Sequence, residues 1–160
     1  KQIEIPTLID AIKVVLKTEM TVGCFFVIGF PEDDVKSMKA SLKLIRKLAI
    51  LGVHDVTVSK FTPYPGSDYF KELQAKGTFS SDLVELDKVI DFYSSDYKSY
   101  CATLDSASLY RWMLWMYLNF YILSFLRRPH RVVSHFIKFF KDGVESTRYM
   151  RLLAEIFFFF

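Results

Sequence analysis

The sequence is poor in the residues that staple or ligate. Of its 160 residues only Cys24 and Cys101 are cysteines, far apart, with no C-x-x-C pair. That excludes a disulfide framework and a cysteine zinc site, and points to a reducing, cytosolic compartment. Only three histidines are present, and His130 and His135 have no metal-ligand companions around them. No secretory signal, internal repeat or low-complexity linker is visible. Carboxylates are scarce in the last third: across 109–151 only Asp142 and Glu145 stand against Arg111, Arg127, Arg128, Arg131, Lys138, Lys141, Arg148 and Arg151. The formal charge of +3 is therefore unevenly placed. Such a tail suits anionic lipid, a phosphorylated substrate or nucleic acid, or is a solvated helix face. The chain starts at Lys1 and ends in Phe157-Phe158-Phe159-Phe160, which is expected of a fragment.

What is present is a regular alternation. Pro6 opens a helix in which Leu8, Ile9, Ile12, Val15 and Leu16 recur at helical spacing. Thr21–Ile28 is a nearly unbroken apolar run, read as a strand covered on both faces. Gly29 and Pro31 end it, and Asp33 or Asp34 caps a helix whose stripe is Val35, Met38, Leu42, Ile45 and Ala49. Gly52 closes that helix, and Val53–Phe61 reads as a second strand. Pro63, Pro65 and Gly66 break it before a helix starting at Ser67 or Asp68. This order signals β/α units on a parallel sheet, so Gly29–Asp34 and Pro63–Ser67 become consecutive loops at the carboxyl ends of neighbouring strands. Ligands bind at such ends. His54 and Lys60 fall on the outer or lower side and are assigned no chemistry.

Residue 78 divides the reading. Residues 1–78 are α/β, and 79–160 are a helical, aromatic and basic extension. Asp82 with Glu85 suggests a helix start, with helix expected to about Tyr100. Leu109–Leu126 is an apolar, aromatic run, followed by the basic cluster at 127–131 and a second stripe over 132–140. A helix packed on the sheet, an interfacial helix and a membrane span all satisfy that pattern, with peripheral membrane contact through 109–141 a specific expectation.

A strand ending in Gly29-Phe30-Pro31 with acidic residues after it, a helix, then a strand ending in Pro63-Tyr64-Pro65-Gly66-Ser67 resembles the C-terminal half of radical S-adenosylmethionine (SAM) enzymes. The likeness is greatest to the subgroup joined to a cobalamin-binding domain, whose helical extension the tail also resembles. It covers about residues 6–77. It implies the C-terminal part of a partial parallel (β/α) TIM-like barrel followed by an α-helical extension. In complete members a Cys-x₃-Cys-x₂-Cys loop holds a [4Fe–4S] cluster that cleaves SAM to a 5′-deoxyadenosyl radical, for methylation, cyclisation or rearrangement at an unreactive C–H. None of those three cysteines is here, and Cys24, mid-strand, does not stand in for one, since a cluster needs several thiolates converging from one loop. The resemblance places Val27, Gly29 and Phe61 along the SAM pocket and Tyr64 at the substrate mouth. It implies a small-molecule or lipid-like substrate, not nucleic acid, and cobalamin in the full-length protein. Where many relatives continue Gly-Phe-Pro with Gly-Glu-Thr, this chain has Glu32, Asp33 and Asp34, and Ser67 takes the place of a commoner Thr. Two other readings are an unrelated α/β barrel enzyme and a non-catalytic membrane-associated module built on the tail.

Overall fold

A computed structural model describes residues 4–77 and 98–130. The elements are α1 (Ile5–Val15), β1 (Gly23–Ile28), α2 (Val35–Leu51), β2 (Asp55–Lys60), α3 (Asp68–Ala75) and α4 (Ser106–Arg127). The expected helix over 82–100 and the stripe over 132–140 lie outside the described residues, apart from 98–100.

β1 and β2 pair in one two-stranded sheet. His54 N–H donates to the Val22 carbonyl at 2.9 Å and Phe61 N–H to that of Ile28 at 2.7 Å, so the register advances in one direction and the strands are parallel. Both following loops therefore leave from the same edge of the sheet. Mixed α/β architecture with a parallel pair is the fold observed.

Side-chain alternation on β2 is strict: Val56 and Val58 are fully buried and Lys60 is 1 % exposed, with half-buried residues between them. β1 departs from expectation. Phe25 is 82 % exposed and Val27 47 %, so the apolar run is not covered on both faces. Its continuity hides a period of two: Ile28 is buried and Cys24 and Phe26 are half-buried, while no described element lies over Phe25 and Val27.

The described residues form two compact units. The first draws on 4–24, 43–57 and 117–130 and buries Ile9, Ile12, Ile45, Leu48, Ala49, Val53, Val56 and Phe120. Its polar ties span long stretches of chain. Arg46 Nε donates to Asn119 Oδ1 at 2.9 Å, Tyr121 hydroxyl to Asp55 at 2.7 Å, and Val22 N–H to His54 Nδ1 at 3.1 Å. The end of α2 is closed by Arg128, whose guanidinium donates to the carbonyls of Ile50 at 3.2 Å and Leu51 at 2.9 Å. These are carbonyls that no further turn of helix satisfies, and a cation there also suits the helix dipole. Gly52 follows with φ of +111°, and a Cβ on it would meet the guanidinium at 2.5 Å.

The second unit draws on 25–42, 58–77 and 98–116, and buries Ile28, Met38, Leu42, Val58, Phe61, Leu73, Leu104, Leu109, Met113 and Met116. It holds both strand-end loops.

Candidate functional site

The first loop is built on Asp33 and Asp34, which divide the work between them. Asp33 accepts from the N–H groups of Gly29 at 2.8 Å and Phe30 at 3.0 Å, folding the carboxylate back under the strand end. Asp34 caps α2, accepting from Ser37 N–H at 2.8 Å while Ser37 Oγ accepts from Asp34 N–H at 3.0 Å. That reciprocal pair satisfies donors the first turn of a helix leaves open. Gly29 has φ of +84°, which only glycine adopts without strain. An added Cβ would lie 2.7 Å from a methyl of buried Leu109. The close approach at Gly29 is thus to a side chain of this chain.

A segment outside either motif holds the loop from the other side. Ala102 N–H donates to the Pro31 carbonyl at 3.1 Å, Thr103 Oγ1 to the Asp33 carbonyl at 2.7 Å, and the Cys101 thiol contacts that same carbonyl at 3.0 Å. Cys101 is thereby half-buried and engaged with loop backbone. Cys24 is also half-buried, and burial pushes its thiol pKa up. Both cysteines are thus half-buried, neither of them a core residue.

The second loop ends in Ser67, whose hydroxyl accepts from Phe70 N–H at 3.2 Å and caps α3. Two residues on, the Tyr69 hydroxyl donates to the Glu32 carboxylate, tying the second loop's helix to the first loop. That hydrogen bond holds the phenol above its ordinary pKa. Below it the rings of Phe30, Phe61 and Tyr69 form a triangle. Phe30 and Phe61 lie 4.6 Å apart between centroids, and Phe61 meets Tyr69 edge-on at 5.2 Å. Tyr100 meets Phe61 edge-on at 6.4 Å.

Beside this triangle is a cavity of about 260 Å³ lined by Val27, Phe30, Ser59, Lys60, Phe61, Thr62 and Tyr64. Three of the four residues singled out from the sequence, Val27, Phe61 and Tyr64, come together there. They differ in character: Phe61 is buried, Val27 half open and Tyr64 mostly exposed. Gly29 does not line the cavity; Leu109 fills the space in front of it. Phe30, Ser59 and Thr62 were not anticipated, although Ser59 and Phe61 share a strand parity that marks one face. Lys60, expected on the outer or lower side, instead sits on the buried face with Val56 and Val58, its ammonium 5.6 Å from the centroid of the Tyr110 ring, within cation–π range.

The cavity is a little below the roughly 300 Å³ at which small-molecule sites begin. Aromatic faces, a valine and two hydroxyls suit one wall of a site for a flat heteroaromatic group. An iron–sulfur cluster does not fit these residues. The chain has two cysteines, and no three His, Cys, Asp or Glu among the described residues converge on a metal position. Among the described residues no helix is long and apolar enough to cross a membrane. Compared with protein-family models, curated proteins and solved structures, the chain matches none of them.

Proposed function

We propose that this chain contributes two late β/α units to a radical SAM enzyme, with the cavity beside Phe61 serving as one wall of the SAM pocket. The observation that carries the reading is the parallel pairing, which brings both motif loops to one sheet edge beside a cavity lined by Val27, Phe61 and Tyr64. In this reading Val27 and the Phe30–Phe61 ring pair would take the adenine by apolar contact and stacking. Ser59, whose hydroxyl donates to the Phe26 carbonyl at 3.4 Å, and Thr62 would make up its polar rim, and exposed Tyr64 would lie toward a small-molecule or lipid-like substrate. The acidic loop has a structural task, since Asp33 and Asp34 are engaged with backbone N–H groups. Bound SAM would supply the radical precursor, with the [4Fe–4S] ligands and the subgroup's cobalamin coming from outside these residues. A reducing cytosolic compartment suits such chemistry and the two free cysteines.

Titration of the chain with SAM, adenosine and methionine, followed by NMR at the Val27 methyls and the Phe61 and Thr62 amides, tests the reading. SAM and adenosine should both perturb these signals and methionine should not, and Phe61→Ala should abolish the response. Silence at Val27 and Phe61 with both adenine ligands overturns it.

A further inference from the structure

Helix α4 has two apolar faces, and among the described residues one is buried and the other largely exposed. Leu109, Met113, Met116, Phe120 and Ser124 recur every three or four residues and are all buried. On the opposite side Leu114, Trp115, Leu118 and Ile122 are 47–48 % exposed and Leu126 is 75 % exposed. At 100° per residue these five and Arg111 fall within one third of the helix circumference. Large apolar side chains this exposed, in one unbroken stripe, mark an interaction surface.

Charge identifies the occupant. Between Asp105 and Asp142 the sequence contains no Asp or Glu, while Arg111, Arg127 and Arg128 lie in the described part of that span and Arg131, Lys138 and Lys141 follow in sequence. Arg128 is committed to the end of α2 and Arg127 falls on the opposite side of the helix, which leaves Arg111 as the described cation on the stripe. Beside Arg111 lies a hollow of about 220 Å³ lined by Ser108, Trp112 and Trp115, in which the guanidinium donates to Ser108 Oγ at 3.0 Å. Asp105, the nearest carboxylate in sequence, accepts from Ser108 N–H at 2.9 Å at the helix start and feels the Arg111 charge without forming an ion pair with it among the described contacts. Indole rings beside a guanidinium, an apolar stripe and a carboxylate-free stretch are the composition of a helix lying in a bilayer interface. Since no described helix is long and apolar enough to span, contact would be lateral, with α4 in the plane of the surface.

We propose that the outer face of α4 docks on the surface of an anionic phospholipid bilayer, inserting Leu114, Trp115, Leu118 and Ile122 among the acyl chains while Arg111 meets the phosphates. The inference is independent of the cofactor reading, since vesicle binding and the SAM titration can each fail alone.

Flotation of the full 160-residue chain with vesicles of phosphatidylcholine, alone or mixed with phosphatidylserine, tests it. The chain should float with the mixed vesicles and far less with the neutral ones. Leu118→Glu, at an exposed position, should keep the circular dichroism of the parent and lose partitioning by more than about tenfold. Arg111→Gln should lose about fivefold, and Lys36→Gln, an equal charge change on α2, should lose little. The proposal is overturned if the parent does not float with either vesicle. Equal losses from Lys36→Gln and Arg111→Gln would overturn it too, because net charge and not this face would then govern binding. So would a dimer, seen by sedimentation, that Leu118→Glu dissolves without any vesicle binding, since the stripe would then belong to a second copy.

Discussion

Gly29 and Gly52 answer the same backbone demand in opposite surroundings. Each follows the last residue of an element, has positive φ, and lies so near a side chain distant in sequence that a Cβ could not be added without movement. At Gly29 the neighbour is a buried leucine methyl, and the open backbone N–H groups are met by the Asp33 carboxylate. At Gly52 the neighbour is a guanidinium, and the open groups are carbonyls, met by Arg128. The sign of the charged partner follows the sign of the backbone groups left over, donors at the strand end and acceptors at the helix end. The neighbours also differ in how far they can yield. Leu109 is held in a core, whereas Arg128 is the tip of a flexible chain.

That difference gives the largest expected effect. Gly29→Ala combines left-handed strain with overpacking against Leu109 and should lower stability by about 3 kcal/mol. Gly52→Ala carries the strain but meets only the flexible tip of Arg128, which can shift while still reaching its carbonyls, and should cost ~1.5 kcal/mol. Urea denaturation of both variants checks the ordering, and equal losses would break the contrast. Next in size is the clamp. Arg128→Met should destabilise by ~1–2 kcal/mol through its unmatched carbonyls, and Arg128→Lys should not restore the loss, because one ammonium cannot span the carbonyls that the planar fork reaches. Thermal unfolding of the two variants beside the parent decides that.

The smallest effect is one of pH. The hydrogen bonds from Ser108 hold the Asp105 carboxyl below its ordinary pKa. A lowered folded-state pKa means that the stabilisation is present above the unfolded value and is lost as pH falls through the folded one. Acid should therefore fray the start of α4 while leaving the Arg128 clamp intact, because guanidinium does not titrate there. Amide hydrogen exchange of Ser108 and Leu109 against Gly52 and Val53, followed down the acid range, would reveal it. Equal loss of protection in both regions would refute the assignment.

Locally encoded features were legible in the sequence. Pro6, Gly52 and Ser67 sit at the ends they signal, and α2 buries Met38, Leu42, Ile45 and Ala49 as its spacing demands. Val35, on the same stripe, remains exposed because it begins the helix. Of the site, the sequence located the two loops and three of the cavity's lining residues. It gave no sign that Asp33 serves the loop and Asp34 the helix, since adjacent aspartates offer the same chemistry and only the backbone path separates them. Nor could periodicity reveal Leu109 against Gly29 or Thr103 on the Asp33 carbonyl, because both contacts join residues at least seventy positions apart. The exposure of Phe25 was hidden for a related reason: an apolar run looks alike whether or not something lies over it.

Both compact units are stitched from the two sides of residue 78. A truncation ending at Gly77 would therefore remove Arg128 from the α2 terminus, Thr103 from the acidic loop and Leu109 from behind Gly29 at a single stroke. The strand–helix repeats carry the recognisable motifs, yet three of the contacts that close their loops and helix end come from the segment and aromatic helix that follow.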